Sequence, residues 1–174
     1  MKKFEFAIIA SGLDPEAEEF EDLFYEAGCA DATLAYQKGM IIVEFNRKAV
    51  SFSQAVISAC ENVLATGSKI ERIEPDHLVS VSEIAERCSL TKQAISLYAE
   101  AKRGTGFPHP AARVTSRYPL YDWSEVAEWL HANQKLGLEE VVQARIVKEA
   151  NVHFESHQLP DDNFTRKLDA LEAA

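Results

Sequence analysis

The chain has 174 residues, 47% of them hydrophobic, and a formal net charge of −10. That is enough apolar sequence for packed cores in one large or two small domains. No uninterrupted apolar run approaches membrane-spanning length, and the opening MKKFEFAIIASGLDPEAEEF turns acidic too soon for a secretory signal, so a cytoplasmic protein with no membrane partner is expected. The charge is unevenly spread. Residues 77–123 carry six Lys+Arg against four Asp+Glu, while residues 1–76 sum to −7 and residues 124–174 to −5. Acidic flanks repel nucleic acid and confine any such contact to the one net-positive segment.

In chain order, Lys3 to Ala10 (KFEFAIIA) is an aromatic and β-branched run that predicts a strand. Asp14-Pro15 supplies an N-cap and a first-turn proline for a helix with the apolar stripe Ala17, Phe20, Leu23, Phe24 and Ala27, ended by Gly28. Ala30–Tyr36 and Met40–Phe45 are strands around the short turn Gln37-Lys38-Gly39. Ser51 or Ser53 opens a second helix through Leu64, Gly67 stops it, and Lys69–Glu74 alternates as an exposed or edge strand. The order βαββαβ resembles a ferredoxin-like α+β sandwich over residues 1–76. Within it KGMIIVEF partly matches an RNA-recognition signature. Met40 and Ile42 occupy the positions where aromatic rings stack bases, so RNA binding there is not expected.

The stretch VSEIAERCSLTKQAISLY, Val81 to Tyr98, reads as a helix capped by Ser82, a turn through Cys88 and Ser89, and a second helix capped by Thr91. Ile84, Ala85, Leu90, Ala94, Ile95 and Tyr98 have the spacing of a helix-turn-helix core. The exposed start of the second helix then carries Thr91, Lys92, Gln93 and Ser96, donors of the kind that reach base edges in the major groove. Beyond it, glycines and prolines in KRGTGFPHP force an extended path. Ala112–Thr115 and Tyr118–Tyr121 read as a hairpin, a wing with its tip near Ser116 and Arg117. Lys102, Arg103, Arg113, Ser116, Arg117 and Tyr118 are its candidate phosphate and minor-groove contacts. Asp122 or Ser124 caps the following helix, DWSEVAEWL, with Val126, Trp129 and Leu130 facing inward.

This ordered series, over residues 78–130, resembles the winged helix-turn-helix domains of the MerR and phage-excisionase type. The resemblance implies binding to double-stranded DNA as a transcriptional regulator. Two departures stand out: Ser89 occupies a turn position that usually prefers glycine, and the arginine-rich recognition helix of MerR activators is absent. Simple binding, repression or autoregulation is therefore expected rather than promoter distortion. The resemblance also implies a homodimer, and the helix over Leu138–Val152 either joins the two copies or folds back on its own domain.

The expected organisation is residues 1–76, a winged domain over 77–136, a C-terminal helix over 137–158 and a flexible tail over 159–174. Cys29, Cys60 and Cys88 are scattered and read as reduced thiols. His153 and His157 have an i, i+4 spacing without a third ligand, so no metal site is expected. With no glycine-rich phosphate loop, nucleophile elbow or ligand cluster, neither an enzyme nor a cofactor is expected. The alternative function is an interaction protein, antitoxin-like in type, whose acidic N-terminal domain takes a protein or small-molecule partner.

Overall fold

The computed structural model describes residues 1–156 and 159–173. They form a mixed α+β fold of two compact units, one built from residues 1–75 and 146–174, the other from residues 76–145.

The first unit is a four-stranded antiparallel sheet in the order β2-β3-β1-β4, formed by β1 (Lys2–Ser11), β2 (Ala32–Gln37), β3 (Met40–Ala49) and β4 (Lys69–Glu74). Alternation along β1 and β3 sends Phe4, Phe6, Ile8, Ile41, Val43 and Phe45 to the buried face. Against that face lies α2 (Phe52–Ala65), capped by Ser51, whose Oγ accepts the Gln54 amide at 3.3 Å. The turn between β2 and β3 holds Lys38 and Gly39 at φ +54° and +81°, the two left-handed positions of a tight hairpin.

Helix α1 spans only Phe20–Glu26. The expected start at Asp14-Pro15 is instead a turn, in which Asp14 Oδ1 accepts the Glu16 amide at 3.0 Å. Glu18, Glu19, Glu21 and Asp22 would stand three and four residues apart on a longer helix, like-charge pairs that cost a few tenths of a kcal/mol each.

Arg47 of β3 is the polar hub of this unit. Its guanidinium donates to both Asp31 carboxylate oxygens at 3.0 and 2.9 Å, to Asn62 Oδ1 at 2.8 Å, to Ser58 Oγ at 3.1 Å and to the Gly28 carbonyl at 3.0 Å. Gly28 sits at φ +95°, where a side chain is strained, and a Cβ there would press on the Asn62 side-chain amide at 2.9 Å.

Two later helices complete the structure. Helix α6 (Leu138–Glu155) contributes to both units, and α7 (Asp162–Glu172) belongs to the first. The expected flexible tail is thus a helix: Phe164 and Leu168 are buried, and Asp169 and Glu172 accept hydrogen bonds from Ser53 at the start of α2. Two carboxylates at a helix N-terminus are favourably placed for its dipole. Helix α6 buries most of its expected apolar face and leaves Leu138 exposed. Val141, Val142, Ala144, Val147 and Ala150 are all buried within this one chain.

In the second unit, α3 (Val81–Arg87) begins at Ser80 instead of Ser82. Ser80 Oγ accepts the Glu83 amide at 3.3 Å while the Glu83 carboxylate accepts the Ser80 amide at 2.7 Å, a reciprocal capping box. Helix α4 (Lys92–Ala99) follows after a tight turn, and α5 (Trp123–Ala132) follows the short ladder of β5 (Leu78–Val79) with β6 (Tyr121–Asp122). Ile84, Ile95, Val126 and Leu130 form the wholly buried centre of this unit. The hairpin expected over 112–121 reduces to a single bridge, Ala112 with Leu120, because Arg113 leaves the extended region at φ +54° and Pro119 has no amide to donate. Tyr121 pairs with Val79 instead.

Candidate nucleic-acid interface

The turn between α3 and α4 determines what α4 presents. Ser89 sits at φ +53°, its amide donates to the Glu86 carbonyl at 3.3 Å, and the next amide, Leu90, donates to Ala85 at 3.0 Å. That hydrogen-bond pair is a Schellman ending with serine in the place glycine usually takes. It turns the chain so that Leu90 packs against the core while Thr91 caps α4, accepting the Ala94 amide at 3.1 Å.

With Ile95 and Tyr98 buried, the opposite side of α4 faces solvent. Thr91, Lys92 and Gln93 are exposed there, and Ser96 is half-buried at the margin. The Thr91 oxygen is engaged by its cap, which leaves the hydroxyl hydrogen to donate.

The remaining expected residues lie in two loops. Lys102 and Arg103 follow α4, Lys102 paired with Glu100 at 2.6 Å and Arg103 over the Tyr98 ring at 5.4 Å from its centroid. Both cations are exposed. Arg113, Ser116, Arg117 and Tyr118 lie together in the bridged loop between Ala112 and Leu120. There the Ser116 amide closes a turn onto the Arg113 carbonyl at 2.9 Å, Ser116 Oγ accepts the Tyr118 amide at 3.1 Å, and Arg117 covers the Tyr118 ring at 5.8 Å. Tyr118 and Val114 remain 63% and 68% exposed, so the loop tip combines two guanidinium groups with bare apolar surface. Between Thr91 and Tyr121 there are five Lys+Arg and one carboxylate, Glu100.

An aromatic cluster ties these parts together. Tyr98, Phe107, Trp129 and Tyr121 meet at ring separations of 4.9 to 6.2 Å, and the Trp129 indole N–H donates to the Thr105 carbonyl at 2.9 Å. One cation in this neighbourhood escaped the sequence reading. Lys135, just past α5, brings its Nζ to 6.0 Å from the Tyr98 centroid. Nothing local marks it, because its neighbours Arg103 and Tyr98 lie more than thirty residues earlier in the chain.

The sheet of the first unit has the opposite character. Ala7 lies between Glu44 and Glu74 in the register of the face away from α2, and Glu5, Asp31 and Asn46 join them around a depression of about 490 Å³. Among the described residues no group of three or more His, Cys, Asp or Glu is arranged to hold a metal ion, and no helix is long and apolar enough to cross a membrane. His153 Nε2 contacts the Leu159 carbonyl at 3.1 Å and its ring packs on Phe164, whereas His157 lies outside the described residues. Burial raises the Cys29 thiol to about 11 and drives that of Cys60 higher still, which leaves both poor nucleophiles at neutral pH.

No family model matches the chain, and no curated protein or solved structure matches it either.

Proposed function

We propose that the chain is a sequence-specific double-stranded DNA-binding regulator, acting by simple binding or repression, with residues 76–145 as a winged helix-turn-helix variant. The observation that carries this reading is the Ser89 turn. It exposes Thr91, Lys92 and Gln93 at the head of α4 in the stretch of chain where five cations meet one carboxylate. Lysine and glutamine at a helix start have the donors to read guanine and adenine edges. Arg113 and Arg117, with Tyr118 in the loop closed by the single Ala112–Leu120 bridge, supply backbone or minor-groove contacts.

The first unit is read as a ferredoxin-like sandwich on its order β2-β3-β1-β4 and its βαββαβ succession. Its carboxylates turn DNA away and restrict contact to the second unit. A homodimer on a two-part site is the expected assembly.

A second reading is favoured by one observation, the acidic depression around Ala7: an interaction protein whose first unit takes a cationic partner, with DNA binding secondary. The two separate on one assay. In a gel shift on the preferred duplex, the Lys92→Ala/Gln93→Ala double variant loses discrimination while retaining weak general binding. Equal discrimination by the double variant and the wild type would remove α4 as the reading element.

A further inference from the structure

Lys135 and Arg103 come from different helix ends and meet at one ring. Each lies within about 6 Å of the Tyr98 centroid, Lys135 Nζ at 6.0 Å and the Arg103 guanidinium carbon at 5.4 Å. Tyr98 is buried and held by Trp129 at 4.9 Å. Each cation follows a left-handed residue that ends its helix, Ala101 at φ +54° after α4 and Gln134 at φ +57° after α5. The Lys102 amide donates to Leu97 at 2.9 Å and the Lys135 amide to Leu130 at 2.8 Å, so both turns are closed. The 104–106 loop is fixed as well. Trp129 holds Thr105, and a Cβ on Gly104, at φ +71°, would come within 3.3 Å of the Trp129 ring.

Cations past helix C-termini offset the negative ends of those helices, a role that needs no ligand. Two features go beyond it. The first is how loosely the acid beside Lys102 and Arg103 is held: Glu100 is more than half exposed in its pair with Lys102, and such a pair yields to a phosphate oxygen at little cost, while the acids nearest Lys135 in the chain are Glu139 and Glu140 at the start of α6. The second is position. Helix α4 has eight residues and is about 12 Å long, and the major groove is about 12 Å wide. With Thr91, Lys92 and Gln93 at base edges, the Tyr98 end of α4 stands at the groove wall, where the phosphates are.

We propose that Lys135, Arg103 and Lys102 form one phosphate-binding patch, scaffolded by Tyr98, that grips the DNA backbone beside the groove entered by α4. The patch rests on the DNA-binding reading above and adds a residue from the far end of α5. The grip is then set by how α4 packs on α5, and not by the loop alone.

The test titrates a random-sequence DNA duplex, and an RNA duplex of the same length, with wild type, Lys135→Ala, Lys135→Arg and Arg103→Ala over a range of salt concentrations, with thermal melting as the fold control. Each lost phosphate contact makes the slope of log affinity against log salt shallower by about 0.9, and the arginine at 135 restores it. Preference for a selected duplex over the random one is unchanged in Lys135→Ala, since phosphate contacts carry no base information. A wild-type slope in both alanine variants overturns the patch and leaves the reading face of α4 standing. A lowered melting temperature with a wild-type slope assigns the lysine to its helix end alone, and also overturns the patch. Failure of the wild-type chain to bind any duplex at low salt removes the DNA reading and the patch together, and tighter binding to an RNA duplex overturns the assignment to DNA.

Discussion

The side-chain amide of Asn151 satisfies both backbone groups of Ile73: its Oδ1 accepts the Ile73 amide at 2.6 Å and its Nδ2 donates to the Ile73 carbonyl at 2.9 Å. Asn151 is fully buried, and Ile73 lies on β4, the last strand of the sheet. One asparagine of α6 thus stands in for the missing neighbouring strand and closes an edge that would otherwise offer itself to another chain. Asn151→Ala leaves two buried backbone groups unmatched, at a cost of about 1–3 kcal/mol for each. Urea unfolding is expected to show a loss of about 3 kcal/mol with an unchanged denaturant slope, and a change under 1 kcal/mol would contradict the role given to the amide.

Asp31 gives the first unit an acid-sensitive contact. Its hydrogen bonds with the Arg47 guanidinium hold its carboxyl below the ordinary value of 3.8. Because the unfolded chain takes up that proton first, the stabilisation is complete above 3.8 and is lost as pH falls through the lower, folded value. Asp31→Asn should therefore be less stable than wild type at neutral pH and should lose less stability on acidification below 3.8. Denaturant midpoints measured across that range would show the two proteins converging; parallel curves would mean that Asp31 titrates as an ordinary surface acid.

Much of this arrangement was legible because the local chemistry was strong. Ser51, Thr91 and Asp122 cap helices where their side chains and the following apolar stripes place them, and Lys38-Gly39 marks its turn by the left-handed conformations it must adopt. The misreadings share a cause: a local signal overridden by a partner distant in sequence or by a stronger neighbour. Ser82 yields to Ser80, whose spacing to Glu83 completes a reciprocal box. The tail looked polar because only Phe164 and Leu168 bury, and the surface they pack on is supplied by folding. The wing shrank to one bridge when Tyr121 found Val79, over forty residues earlier. Of the candidate interface, α4 and its exposed residues were readable from helical spacing, whereas Lys135 became visible only through the ring it approaches.

Ser89 carries a conformational cost at the turn that orients α4. A non-glycine residue in the left-handed region is disfavoured by about 1–2 kcal/mol, while a glycine gives up about 0.5–1 kcal/mol in chain entropy. Ser89→Gly is expected to leave stability equal or raised by about 0.5 kcal/mol. Ser89→Val, branched at Cβ, is expected to lower it by more than about 1 kcal/mol. Thermal melts of the pair check this, and DNA affinity should follow the valine variant downward if the turn orients the reading face.

The central claim is that α4 reads base sequence. Selection of bound duplexes from a random pool, at fixed and stated salt, tests it most directly. The account predicts enrichment of one motif, with two half-sites about 10 base pairs apart for a dimer, and loss of that enrichment in the Lys92→Ala/Gln93→Ala variant. A folded wild-type chain that enriches no motif over repeated rounds would contradict it.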